Sequence, residues 1–260
     1  MSTSRGSRLP ARMLFVGALA ATLVGCGGTI ESEPEDPSNA GPAAGESSGS
    51  DAGGEAPAGP APAQIVQVPL EQWQAMQEAG MIRPECPVQE RSELRRVELN
   101  FVDFEGEVQR GHLIVRDDTA RSVKRIFERL FEMEFPIRRM VGVEEYGGDV
   151  NASLRADNTS AFNCRKPDQI NAPFAASPHA NGRAVDINPR ENPWMDLRCN
   201  CWSPGPRHAE RTPGPGKVLQ GGPVWTLFDE EGWIWQNIDV ADYMHFDTGY
   251  PSAPYAPTGS

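Results

Sequence analysis

Ser177-Pro178-His179-Ala180-Asn181-Gly182-Arg183-Ala184-Val185-Asp186-Ile187-Asn188-Pro189 sets a histidine and an aspartate seven positions apart around one glycine. Pro178 keeps the start of this stretch out of a regular helix. Ala184 to Asn188 has the period of two expected of a short strand, with Val185 and Ile187 facing a core. Asp186 then points to the opposite face, and Gly182 supplies the bend that returns His179 towards it. An imidazole and a carboxylate meeting at one point make up two-thirds of a catalytic zinc site.

The third ligand comes from Asp242-Tyr243-Met244-His245-Phe246. Were Tyr243 to Asp247 a strand, Met244 and Phe246 would face the core, and Tyr243, His245 and Asp247 the other side. Two histidines, one carboxylate and one open position suit hydrolysis by an activated water. Asp242, three residues before His245, is then placed to take the proton of the attacking water and return it to the leaving amine. His179 and His245 satisfying loop carbonyls is the plainer alternative. His112 lies in an apolar β-run and reads as structural. His208, in a Pro/Gly loop, reads as a surface or cleft residue.

Outward from these motifs, the folded part begins near Gln64. Leu70 to Ala79 reads as a short helix ended by Gly80. Arg96–Phe104 and Val108–Val115 form a hairpin around Glu105-Gly106-Glu107. A helix follows from Ala120 to Phe135, with N-cap oxygens offered by Asp117, Asp118 and Thr119 and a stop at Pro136. Ile137–Val143 is a strand candidate, and Tyr146-Gly147-Gly148-Asp149 is a turn. The polar run from Asn151 to Pro173 suits the wall of a site. Glu191–Lys217 reads as a long loop pinned by its cysteines, and Val224–Glu231 as a last helix opened by Gly222-Pro223.

Residues 1–25 have the form of a lipoprotein signal peptide. Arg5, Arg8 and Arg12 precede an apolar run that ends in Leu23-Val24-Gly25-Cys26, with Cys26 as the lipidation site. Gly27 after it, in place of aspartate, points to the outer membrane of the periplasm. Residues 26–63 then form a disordered linker, with seven acidic and no basic side chains between Gly27 and Ala63. Losing the three signal arginines leaves 21 basic against 36 acidic residues, a net charge of −15 that argues against nucleic acid and anionic lipid as partners. Membrane contact is expected through the lipid alone, and the chain is expected to be a monomer. Cys86, Cys164, Cys199 and Cys201 suggest two disulfides in an oxidising compartment. A Cys199–Cys201 ring is very small, so each of these is expected to bond to Cys86 or Cys164; a metal-binding Cys-x-Cys is the alternative.

Ser177-x-His179-x-x-Gly182-x-Ala184-x-Asp186, followed by Asp242-x-x-His245, resembles the zinc peptidases of bacterial cell walls. These are the D-alanyl-D-alanine carboxypeptidases and dipeptidases, the vancomycin-resistance peptidases and the L-alanyl-D-glutamate endopeptidases. Phe135-Pro136-Ile137, Tyr146-Gly147-Gly148 and Ser160-Ala161-Phe162-Asn163-Cys164-Arg165 extend the resemblance. It implies an α+β domain over 64–260, with a small antiparallel sheet, flanking helices and a zinc groove. It implies one Zn2+ on His179, Asp186 and His245, Asp242 as general base and Arg165 as the oxyanion-stabilising arginine. Arg138 and Arg139 stand in reserve for the role of Arg165; Ser160, Ser177 and Arg138 are substrate-binding candidates, Ser160 with the alternative of bonding its own loop. The implied function is hydrolysis of peptidoglycan stem peptides, by D-Ala-D-Ala carboxypeptidase or L-Ala-D-Glu endopeptidase action. The alternative is a non-catalytic peptidoglycan-binding lipoprotein that keeps the fold. Gln236-Asn237 stands where the family would carry a Gly-Gly pair.

Overall fold

The computed structural model describes residues 60–165 and 177–258. The signal segment, Cys26 and nearly all of the expected linker lie outside them. Two units divide the chain at Gly53/Gly54, and everything below concerns the second.

Its first sheet is antiparallel, in the order β1 (Gln64–Gln67), β2 (Leu94–Val102), β3 (Val108–Arg116). The expected hairpin joins β2 and β3 in register from Leu94↔Arg116 to Val102↔Val108. Its turn closes on Asp103, whose Oδ1 accepts the amides of Glu105 and Glu107. The helix α1 (Leu70–Glu78) packs Trp73 and Met76 against Leu94 and Ile114.

The amphipathic helix α2 (Ala120–Glu132) lays Val123, Ile126, Phe127 and Leu130 on Val97, Leu99 and Phe101 of β2. It ends three residues before the expected Phe135. Glu134 turns left-handed, at φ 52°, and the amides of Glu134 and Phe135 close back on Phe131 and Leu130. The expected N-cap oxygens are used elsewhere: Asp117 pairs with Arg95 and Asp118 with Arg183. The strand expected over 137–143 shrinks to β4 (Arg139–Met140), paired in parallel with β5 (Asn158–Thr159). Between them lies α3 (Val150–Arg155), which the polar composition concealed; Asp149 Oδ1 caps it by accepting from Asn151 and Ala152.

The second sheet carries the motifs. It has the antiparallel order β6 (Ala184–Asp186), β10 (His245–Asp247), β9 (Ile234–Trp235). Its inner face sets Val185 and Phe246 in the same core as α2 and α4 (Pro223–Glu230), with Phe246 stacked on Phe228 at 3.9 Å between centroids. Each such fully buried side chain contributes roughly 1.5–3 kcal/mol. That anchorage fixes which way the alternate residues point. Met244 departs from expectation: it leaves the Phe246 core and packs with Val150 and Leu154 of α3. The class is therefore mixed α+β as expected, but two three-stranded sheets replace the single small one. Among the described residues no helix is long and apolar enough to cross a membrane.

The cysteine pairing overturns the expectation. Cys86 and Cys164 bond to each other, and Cys199 to Cys201. Both Cys86 and Cys164 sit in the core cluster beneath α1, which brings them together. Cys199 and Cys201 flank Asn200, whose left-handed φ of 51° folds the chain so that their Cα atoms are 5.2 Å apart. They lie at the exposed turn into the hairpin β7 (Trp194–Asp196) and β8 (Cys201–Ser203). The loop from Glu191 is consequently not pinned by cysteines to the rest of the domain. Arg211 ties it instead, donating to the carbonyls of Glu191 and Val218 and to Asn192 Oδ1, with its guanidinium over the Tyr243 ring.

Candidate metal centre

β6 and β10 run side by side with Asp186 opposite His245, so their outward side chains meet by register alone. His179 joins them from the turn that precedes β6. In that turn Gly182, at φ 71°, accepts the Arg116 amide with its carbonyl at 2.7 Å. A Cβ on Gly182 would lie 2.7 Å from the Arg116 nitrogen, so only glycine allows the approach.

His179, Asp186 and His245 are each 5 % exposed, and three of their atoms form a nearly equilateral triangle. His179 Nε2 lies 3.0 Å from His245 Nδ1, and each nitrogen is 3.2 Å from Asp186 Oδ1. The outward ring nitrogens fix the tautomers. His179 Nδ1–H donates to the Ala161 carbonyl at 2.7 Å, and His245 Nε2–H donates to Asp247 Oδ2 at 2.9 Å. A neutral imidazole has one N–H, so lone pairs face inward from both rings. Three inward lone pairs at this spacing repel one another unless a cation lies between them. Bonds of about 2.0–2.1 Å to a tetrahedral ion put ligand atoms roughly 3.3 Å apart, which the triangle fits. Among the described residues this is the group of histidine, cysteine and acidic side chains that could hold a metal ion.

The surroundings favour positive charge at that point. Burial works against ionisation of Asp186, but His179 and His245 hold it far below the usual carboxylate range. Burial likewise opposes charge on His245, yet in the metal-free site its hydrogen bonds to Asp186 and Asp247 push its pKa up to about 10, so its Nδ1 then holds a proton that a metal ion would displace.

The triangle forms part of the wall of a small cavity of about 120 Å³. Asp242, Arg165 and Ser177 line the same cavity, together with Val150, Asn151 and Leu154 of α3, and Trp194, Ile238 and Tyr250. Asp242 Oδ1 and Arg165 Nε are buried with no hydrogen-bond partner among the described residues. A buried polar atom left unpaired is costly, and at a cavity wall it marks a place where a ligand completes the bonding. Burial raises the Asp242 pKa to about 7; Asp186 and Asp247 add to the rise, and His245 and Arg165 oppose it. That is the range in which one carboxyl can both take and give a proton near neutrality. Ser177 Oγ accepts the Ala180 amide at 3.3 Å, so it also braces the turn that carries His179.

Other sequence candidates fall outside this cavity. Arg138 pairs with Asp157 at 3.2 Å and lies over the Phe104 ring, and is thus not at hand for a substrate here. Ser160 exchanges backbone hydrogen bonds with Asp186 and holds that strand without lining the cavity. His208 lines a different cavity, with Arg207 and Glu191. A cavity of about 590 Å³ between α2, α4 and Pro60–Ala63 contains none of the candidate residues, so size alone does not locate the chemistry. The hydrophobic wall from α3, and Ile238 and Tyr250, were not anticipated. For α3 the one available signal was Asp149 as an N-cap.

A buried His-Asp-His triangle that could hold one metal ion thus lies beside an unpaired carboxyl oxygen on a mixed α+β fold. Residues 171–248, which hold all four residues, match the family model described as D-alanyl-D-alanine carboxypeptidase. No curated protein and no solved structure matches the chain.

Proposed function

We propose that the protein is a zinc-dependent peptidase that hydrolyses peptidoglycan stem peptides. The observation that carries this reading is the convergence of His179 Nε2, His245 Nδ1 and Asp186 Oδ1 within 3.2 Å of one another, beside Asp242, inside the family-matched segment. A zinc ion held there would polarise the scissile carbonyl and make water nucleophilic near neutral pH. His179, Asp186 and His245 would hold it at the wall of the cavity. Asp242 Oδ1 takes a proton from the attacking water and carries it to the leaving amine nitrogen. Arg165 offers its buried, unpaired Nε–H to the oxygen on which negative charge develops. The aliphatic and aromatic walls exclude bulk water, which strengthens each of these interactions.

The lipoprotein signal and acidic linker read from the sequence support a lipid-anchored, periplasmic enzyme with enough slack to reach the wall. The scissile bond is either the terminal D-Ala–D-Ala or the L-Ala–D-Glu bond. Mass spectrometry of purified muropeptides incubated with the protein reads both at once. The expected result is loss of a terminal D-alanine, or release of the peptide beyond L-alanine, abolished by a chelator and restored by zinc. Intact muropeptides in all samples would leave a wall-binding protein as the remaining reading.

A further inference from the structure

We propose that the Gln236-Asn237 turn is a brace that sets two parts of the centre at once: the His245 ring, through Asp247, and the backbone that carries Asp242. The inference rests on the peptidase reading above and adds positioning residues to it.

The turn follows β9 and is bonded to the site strand itself, since the Gln236 amide donates to the His245 carbonyl at 3.0 Å. From there its two side chains diverge. Asn237 Nδ2 donates to Asp247 Oδ1 at 3.0 Å, and the Gly249 amide donates to the same oxygen at 2.7 Å. The other oxygen of Asp247 accepts from His245 Nε2. Asp247 is fully buried, so its carboxylate depends on these three donors to hold one orientation. A carboxylate fixed on the outer nitrogen of a metal-binding imidazole sets its tautomer and ring angle and raises its basicity. Asn237 is thereby the outer member of a chain, Asn237–Asp247–His245, that ends at the inward-facing Nδ1.

Gln236 acts on the other arm. Its Oε1 accepts the backbone amide of Asp242 at 3.3 Å, which holds the residue that presents the unpaired carboxyl. Gln236 does this from a left-handed backbone, at φ 52°, where glycine is the relaxed choice. A side chain retained against that preference, and bonded to Asp242, separates a positioning role from a purely structural one. The latter predicts that glycine at 236 improves the protein in every respect.

The test uses the full chain, with Gln236→Gly, Asn237→Ala and Asp247→Asn each compared with wild type. Zinc affinity is measured by chelator competition, the cobalt-substituted protein by its visible absorption bands, and turnover on muropeptides by mass spectrometry. For Gln236→Gly the expected outcome is an equal or higher melting temperature, unchanged zinc affinity and roughly tenfold slower turnover. Asn237→Ala and Asp247→Asn are expected to weaken zinc binding by about 10–100-fold and to shift the cobalt bands. Should Asp247→Asn fail to fold, the other two variants still decide the matter. Gln236→Gly turning over at the wild-type rate, or Asn237→Ala binding zinc like wild type, overturns that arm of the brace. A wild type that binds zinc but cleaves nothing sinks the peptidase reading, while the affinity and cobalt measurements still judge the Asn237 arm. A wild type that binds no zinc overturns both.

Discussion

His112 and the pair His179/His245 are buried to nearly the same degree, 7 % and 5 % exposed, yet the two regions give their imidazoles opposite characters. His112, on β3, is bonded by amides: the Gly142 amide donates to its Nε2 at 3.3 Å, and Gln72 Nε2 lies 2.9 Å from the same atom. Burial, reinforced by Arg96, lowers its pKa to about 4, so it stays neutral at working pH. On the second sheet Asp186 and Asp247 reverse the outcome, although burial pulls in the same direction. Desolvation alone therefore does not make a site. What separates the two regions is whether a carboxylate bonds the imidazole itself: beside His112, Glu144 accepts from Gln72 instead, whereas the register of β6 against β10 sets Asp186 against His245.

The largest effect expected from this contrast is on metal content. His179→Ala should lose stoichiometric zinc and at least about 10³ in turnover, whereas His112→Ala should keep its zinc. Elemental analysis of dialysed protein reads both. Equal zinc in the two variants would erase the distinction between the regions.

Stability should show the converse. Removing the His112 ring leaves the buried donors of Gln72 and Gly142 short of an acceptor, so His112→Ala is expected to cost about 1–3 kcal/mol in chemical denaturation. With zinc removed from both proteins, His179→Ala should cost less, because His179 lines a cavity that water can fill in place of its ring. A His112→Ala chain as stable as wild type would show that Gln72 and Gly142 find other partners.

The smallest effect concerns a third buried group, made of carboxyls alone. Glu191 lies beside the fully buried Asp157, which Arg138 partly neutralises. Burial, then repulsion from Asp157, raises the Glu191 pKa to about 7 from its ordinary 4.5. The folded state binds the proton more tightly than the unfolded chain, so this contribution is complete below about pH 4.5 and is lost as pH rises through 7. Glu191→Gln should therefore flatten the fall in melting temperature between pH 5 and 8. Parallel curves for the two proteins would show that Glu191 does not hold its proton more tightly in the folded state.

Much of the site was legible because strand alternation is a local rule. Val185 and Ile187 are apolar on one side, which forces Asp186 to the other, and the same logic places His245 opposite Phe246. The β2–β3 hairpin and the apolar stripe of α2 follow from equally local signals. What escaped depends on contacts between distant segments or on unusual backbone. Ring size argued against Cys199–Cys201, but Asn200 in the left-handed region makes the contact local, and Cys86 and Cys164 meet because both are core residues. Arg138 was a fair substrate candidate by charge alone; Asp157, buried and far from it in sequence, claims it. Met244 obeyed the helix α3, which polar residues had disguised. Gln236-Asn237 stood out as a departure from a glycine pair, and only its bonds to Asp242 and Asp247 give that departure a meaning.

The most direct check on the account compares wild type with Asp242→Ala, both loaded with zinc and incubated with the same muropeptides. One zinc per chain in each, with cleavage by the wild type and a loss of about 10²–10⁴ in rate for the variant, is the predicted result. Cleavage at equal rates, or loss of the metal from the variant, would contradict the assignment of proton transfer to Asp242 and of metal binding to His179, Asp186 and His245.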